Sequence, residues 1–338
     1  MRPLTHIRCA VIGSGFAGST LAEAVRYAPD AELVVIAGGR KAVELAALHG
    51  VRAAWDVDGV LDAPDIDAVL IASPNPFHAP QTLRAAASRK HVLVEKPMAM
   101  NVAECRQMLQ ACETAGVVLM VGHHHRFRRN PMAARLLLDR GLIGKVDMAA
   151  MVETEPDQTT WLTRPANGGY LLGGGVHGLD LLRWWLGDVR RVAALTGRYR
   201  GLEVDNGSLL LLDFVGGAHA SFQESVIPNS IPPAGSGVVR FDAVLTGQHG
   251  VLHVDMYGEV RSSTGDGWRI QTSLPVWDGH DAFLRIEAYA SQVREFIAAI
   301  REARPPRVPA SDGLAAVAIV EAAHRAAASG TWQDVEQP

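Results

Sequence analysis

A chain of 338 residues is too long for one ordinary core, so two domains are expected. With 48% of residues apolar and 20% charged, the composition is globular and excludes a wholly disordered chain. A net charge of −4 leaves no basic footprint for nucleic acid or acidic membranes, and no apolar run approaches the ~20 residues a spanning helix needs.

Met1 to His6 shows no basic region followed by an apolar stretch, so no signal peptide and a cytoplasmic location are expected. Ile7–Ile12 reads as a short apolar strand ending at Gly13, and Ala17–Tyr27 as a helix stopped near Pro29. Leu33–Ala37 is a second strand, followed by a helix through Leu45 and Leu48 to Gly50. Ala68–Ala72 and Val92–Val94 are further strands. Asn101 with Glu104 three residues on predicts a capped helix whose apolar face is Val102, Cys105, Met108, Leu109 and Cys112, ended by Gly116. Val117–Val121 is a fifth strand. Continuous apolar strands alternating with helices predict a doubly wound parallel sheet covered on both faces. The cysteines, Cys9, Cys105 and Cys112, show no zinc spacing and suit reduced, partly buried thiols.

The pattern changes after Gly122. A helix is expected over Pro131–Arg140, then strands at 146–152, 192–199, 208–215, 218–226, 238–245 and 251–256 with hairpin-like spacing. Pro228–Gly237 reads as a loop. A long helix carries Phe283, Ile286, Tyr289, Val293, Phe296 and Ile300 on one face, Pro305-Pro306 breaks it, and a last helix runs from Ser311 to Gly330. The expected organisation is a Rossmann domain over 1–122 and an α/β domain with a large, mainly antiparallel open sheet over 123–338.

Gly13-Ser14-Gly15-Phe16-Ala17-Gly18 is a G-x-G-x-x-G run that follows a strand and opens a helix, the context that dinucleotide binding requires. The first glycine permits the tight turn, the second lets backbone approach a pyrophosphate, and the third packs helix on strand. The helix N-terminus then offers amide donors to the phosphates. About 20 residues on, an NAD site carries an acidic residue for the ribose 2′-hydroxyl. Here the strand ends in Gly38-Gly39-Arg40-Lys41 with no carboxylate, which favours a 2′-phosphate on Arg40, hence NADP, with NAD retained as the alternative.

Ser73-Pro74-Asn75-Pro76-Phe77-His78 and Glu95-Lys96-Pro97 follow two strands at the edge where such sheets bind ligands. A lysine there can stabilise a developing alkoxide. If Val176–Leu186 is helical, His177, Asp180, Leu181 and Trp184 share one face. The run His123-His124-His125 suggests a metal only superficially, because neighbours in an extended segment point in opposite directions, and no metal is expected.

With the glycine motif, Ser73-Pro74-Asn75 with His78, Glu95-Lys96-Pro97, and Gly168-Gly169 followed by His177 and Asp180, the chain resembles the glucose-fructose oxidoreductase / inositol dehydrogenase / MocA family over essentially its whole length. The resemblance implies oxidoreduction of sugars, cyclitols or related diols. It implies Lys96 and His177 as catalytic residues, Asp180 as a substrate contact, and Glu95, Ser73, Pro74, Asn75 and His78 along the cofactor. It places His123, His125 and Arg126 in the substrate pocket and Trp161 against cofactor or substrate, the alternative for Trp161 being a loop residue packed on the sheet. It also implies a homodimer or homotetramer formed through an exposed sheet face, which the apolar strand Leu209–Leu212 allows. One position departs: the family's aspartate four residues before the histidine is Gly173 here. A glycine is expected to leave a void at this point, with room for a bulkier or less polar ring. Two other functions compete with a dehydrogenase: a lyase-type enzyme that recycles its dinucleotide, and a non-catalytic dinucleotide sensor.

Overall fold

The computed structural model describes residues 6–156, 162–227, 240–275 and 282–338. The chain divides into two compact units, Met1–His124 with Ala282–Leu314, and His125–Asp281 with Ala315–Pro338. Trp161 and the loop expected over 228–237 lie outside the described residues.

The first unit runs β1 (Ile7–Ile12), α1 (Phe16–Val25), β2 (Ala31–Ala37), α2 (Ala42–His49), β3 (Arg52–Ala54), α3 (Val57–Asp62), β4 (Ala68–Ile71), α4 (His78–Ala87), β5 (His91–Glu95), α5 (Val102–Ala115) and β6 (Leu119–Gly122). The six strands form one parallel sheet in the order β3-β2-β1-β4-β5-β6. β4 and β6 are buried at every residue, as strands covered on both faces must be. The order reverses beside β1, and Ile12 pairs with Ile71, which pairs with Val94. The segments after β1, β4 and β5 therefore leave the sheet together at its carboxyl edge, the switch point where such sheets bind ligands. The α5 cap is reciprocal: Asn101 Oδ1 accepts from the Glu104 amide at 2.8 Å, and Glu104 Oε2 accepts from the Met100 amide at 3.0 Å. The sequence pattern did not disclose β3, α3 and α4. β3 has only three residues with no buried face, α3 is a six-residue piece, and Pro80 masks the start of α4, where a proline in the first turn is tolerated.

The second unit holds α6 (Arg129–Asp139), β7 (Val146–Pro156), α7 (Val176–Leu186), β8 (Val189–Gly197), β9 (Gly207–Phe214), β10 (His219–Ile227), β11 (Phe241–Gly247), β12 (Gly250–Asp255), β13 (Glu259–Ser263) and β14 (Arg269–Ser273). Then come α8 (Ala282–Glu302), α9 (Ala310–Ser329) and β15 (Gln333–Asp334). The nine-stranded sheet is ordered β14-β13-β12-β11-β7-β10-β9-β8-β15 and is antiparallel except for the parallel pair β7–β10. One face is the core, with Leu210, Leu212, Phe222, Met151, Ala243, Leu245 and Val254 buried, and α6 and α7 pack over it. The alternate residues Leu195, Leu209, Leu211 and Met148 are exposed.

α8 lies in the first unit and packs on α1. Arg285 donates to Thr20 Oγ1 at 2.8 Å and stacks 4.7 Å over the Phe16 ring. The three cysteines are buried and in no disulfide, and burial pushes the Cys112 thiol up to about 12 and the Cys9 thiol further. No helix among the described residues is long and apolar enough to cross a membrane.

Candidate active site

Two of the three glycines of the first loop have a steric reason. Gly13 has φ +106°, and a Cβ on it would lie 2.4 Å from the Ala72 carbonyl oxygen, so only glycine lets the loop cross the end of β4. A Cβ on Gly18 would lie 2.0 Å from the Gly13 carbonyl oxygen, which is the helix-on-strand approach expected of the third glycine. A Cβ on Gly15 meets nothing within 4 Å, so the second glycine faces open space at the N-terminus of α1. No side chain caps that helix start, and its amides are placed as a pyrophosphate cradle. The loop therefore fits a dinucleotide.

Ser14 is buried, and its Oγ accepts from the Lys41 amide at 3.1 Å. This ties the glycine loop to the turn after β2. Gly38 and Gly39 both have positive φ, and a Cβ on Gly39 would lie 2.4 Å from Ser14 Oγ. Arg40 and Lys41 follow, both exposed, and no carboxylate stands at this strand end. Phe16 is exposed beneath Arg285, and Ala17 is half-buried.

The next two strand ends are braced to each other. His78 is buried, its Nδ1 2.7 Å from the Pro97 carbonyl and its Nε2 2.8 Å from the Ser73 carbonyl. Burial pulls the imidazole pKa down, against these two carbonyls, which favour the charged ring. The histidine thus joins the Ser73-Pro74-Asn75 segment to Lys96-Pro97. Ser73 Oγ donates to Gln81 at 2.7 Å, Pro74 is exposed and Asn75 is buried. Glu95 is buried against β6: a Cβ on Gly122 would lie 3.0 Å from Glu95 Cα. Burial pushes the Glu95 carboxyl up to about 7, opposed by the Lys96 charge and by the Lys96 amide, which donates to Oε2 at 3.2 Å. Lys96 itself is half-buried and the Lys96–Pro97 bond is cis.

His123 follows β6 and is buried, and His124 stacks on Tyr289 with ring centroids 4.3 Å apart. The histidine run is not extended: 124–127 coils into a 3-10 turn, because the chain bends directly off β6.

The second unit gathers its own polar cluster. His125 and His177 are buried with ring centroids 4.3 Å apart at 58°, and His125 lies 5.1 Å from Phe241. Arg126 grips Asp180 through Nε–Oδ2 at 2.8 Å and Nη2–Oδ1 at 2.6 Å, both side chains buried, with Trp184 5.6 Å from the guanidinium. Of the residues expected around substrate, His125 with His177 and Arg126 with Asp180 therefore form two pairs between the same two segments, and Asp180 serves Arg126 directly.

A π-helical turn, Leu171–Gly175, leads into α7. Asp205 holds its start by accepting from the Leu171 amide at 2.7 Å. Beneath the helix, Glu153 and Glu224 are paired in register on β7 and β10 and buried. A Cβ on Gly178 would lie 2.4 Å from Phe222 Cε2, 2.8 Å from Met151 Sδ and 3.0 Å from Glu153 Oε2, and one on Gly175 2.9 Å from Leu171 Cδ1 and 3.0 Å from Glu224 Oε2, so glycine at both positions makes room for these neighbours. Neither carboxylate was legible in the sequence, where each is one residue of an alternating strand. The expected void at Gly173 is absent. A Cβ there would lie 2.1 Å from Leu162 Cδ2, so the leucine already fills the space.

The family model described as "Oxidoreductase family, NAD-binding Rossmann fold" matches residues 7–123, and "Oxidoreductase family, C-terminal alpha/beta domain" matches 135–335. The chain is 30% identical over 333 residues to inositol 2-dehydrogenase of Rhizobium meliloti (strain 1021), covering 95% of this chain and 97% of that one. It is 33% identical over 200 residues to 1-carboxy-3-chloro-3,4-dihydroxycyclo hexa-1,5-diene dehydrogenase of Comamonas testosteroni, spanning 53% of this chain and 48% of that one. The crystal structure of aldose-aldose oxidoreductase from Caulobacter crescentus complexed with glycerol superposes with a TM-score of 0.84 at 25% identity, covering 98% and 100% of the two chains. With both of its domains matched, this chain belongs to the Gfo/Idh/MocA family of oxidoreductases, built from an NAD-binding Rossmann domain and the family's C-terminal α/β domain.

Proposed function

We propose that this protein is an NAD(P)-dependent dehydrogenase or reductase acting on a secondary alcohol or ketone of a sugar, cyclitol or cyclic diol. The observation that carries the reading is the buried group His125, Arg126, His177 and Asp180, in a chain whose other domain presents an open glycine cradle at a parallel-sheet switch point. The dinucleotide supplies the hydride acceptor or donor. Gly13, Ser14, Gly15, Phe16 and Ala17 hold its pyrophosphate, while Ser73, Pro74, Asn75 and Glu95 line it. His78 acts through the loops it braces. Lys96 orients and polarises the substrate oxygen, and its charge favours a developing alkoxide. His177 takes or gives the hydroxyl proton, an effect on the order of 10²–10⁴-fold for a general acid–base group. His125 packs against the His177 ring and limits its orientations, and Arg126 and Asp180 set the polar wall of the substrate pocket.

The reading prefers NADP, because Gly38 stands in the place of the acidic residue and Arg40 is exposed beside it. A 2′-phosphate on Arg40 contributes about 1.5–3 kcal/mol, as hydrogen bonds to charged groups do. Arg40→Ala should weaken NADP binding by that amount and leave NAD nearly unchanged. Equal affinity of the parent for both cofactors refutes the preference.

A panel of sugars, cyclitols and cyclic diols, followed by nicotinamide absorbance with each cofactor, tests the activity. Cofactor binding without turnover across the panel supports a sensor instead. Substrate conversion with no net absorbance change supports a lyase that recycles its dinucleotide. The exposed apolar sheet face with Leu195, Leu209 and Leu211 supports a homo-oligomer, which sedimentation checks directly.

A further inference from the structure

We infer that Leu162 is a specificity-determining residue of the proposed site, presenting a hydrocarbon surface beside His177 where a side chain at position 173 would otherwise stand. The inference rests on the reading of His177 as a substrate-facing residue.

Three observations lead to it. Gly173 lies four residues before His177, about one turn earlier on the path from the π-helical turn Leu171–Gly175 into α7, so the two positions are near neighbours on that path. The volume at position 173 is taken: a Cβ built there lies 2.1 Å from Leu162 Cδ2, 3.5 Å from its Cγ and 3.7 Å from its Cδ1. The leucine is held in that place, for it is 3% exposed and packs in a buried cluster with Tyr170, Val204 and Val226. Gly173 and Leu162 are thus two halves of one exchange. The glycine lets a terminal methyl in, and that methyl keeps any side chain at 173 out.

The consequence is chemical. A methyl offers no donor or acceptor to a ring hydroxyl, and a hydroxyl turned toward it loses water without gaining a partner. A carbon edge that carries only hydrogen, whether deoxy or unsaturated, loses nothing there and gains contact area. The site is therefore built for a ring whose edge toward Leu162 is bare carbon, in preference to a fully hydroxylated cyclitol. An apolar wall rejects an added hydroxyl only moderately, so the discrimination is on the order of 10- to 100-fold.

Calorimetry on the dinucleotide-loaded protein measures this without requiring turnover, with cis-1,2-cyclohexanediol and myo-inositol as probes. The parent should bind the diol at least about tenfold more tightly, within the range an apolar wall gives. Leu162→Met, which keeps the wall apolar, should preserve the ratio. Leu162→Ala combined with Gly173→Asp, which vacates the space and fills it with a carboxylate, should move the ratio toward inositol by about tenfold or more. Leu162→Asn is the second route to a polar wall, used if the double variant fails a thermal melt and circular dichroism. A polar-walled variant that is folded and binds dinucleotide normally, yet keeps the parental ratio, overturns the inference. So does a parent that binds both probes equally, which leaves the ring-substrate reading intact. A parent that binds neither probe overturns this inference, while the reading beneath it falls only if the wider panel of sugars, cyclitols and diols also gives no turnover.

Discussion

Glu95 gives the protein a pH dependence with a calculable sign and size. Its carboxyl, ordinarily near 4.5, is pushed up to about 7 in the folded chain, chiefly by burial against β6, with Lys96 opposing. A carboxyl whose folded pKa is raised favours the folded state only while protonated. Its contribution is complete below pH ~4.5 and is lost as pH rises through ~7. The separation corresponds to about 3 kcal/mol in total, most of which falls between pH 5 and pH 8. Glu95→Gln removes the titration and leaves a side chain of nearly the same shape. Urea unfolding of parent and variant without dinucleotide, at pH 5, 6, 7 and 8, isolates the effect, because every other titrating group is common to both. The variant should gain about 2–3 kcal/mol relative to the parent across that range. Parallel stability profiles, with a difference constant within about 0.5 kcal/mol, would refute the reasoning and place Glu95 in a far more solvated setting than its burial implies.

In the second unit, Asp180→Ala strips the carboxylate from a buried guanidinium and should cost about 3–5 kcal/mol in urea unfolding, whereas Arg126→Met with Asp180→Leu should cost much less than the sum of the single changes. Gly173→Ala must displace Leu162 and should cost about 1–3 kcal/mol, a penalty that nearly vanishes in a Leu162→Ala background; an equal cost in both backgrounds contradicts the steric interlock. Asn101→Ala removes the acceptor for the Glu104 amide and should cost about 1 kcal/mol, read as a lower melting temperature with unchanged dinucleotide affinity.

Much of the first domain was written locally. The Gly13–Gly18 spacing, the short continuous apolar strands, the Asn101–Glu104 cap and the apolar face of α5 are all relations within a few residues, and backbone sterics and helix periodicity make such relations readable before any folding is known. The same holds for α7, whose bounds match the run Val176–Leu186. The missing carboxylate after β2 and the glycine at 173 were likewise plain in the chain. Their consequences were not, because each depends on what another segment brings to the spot. Only the tertiary structure decided that Leu162 fills the place beside Gly173, that Arg126 closes on Asp180, and that Glu153 and Glu224 lie in register beneath α7. It also decided that β7 pairs parallel with β10 and that α8 returns to pack on α1. These contacts join residues far apart in sequence. Their energy comes from burial and close packing, which constrain the size and polarity of each partner but leave no periodic or positional mark on either segment alone.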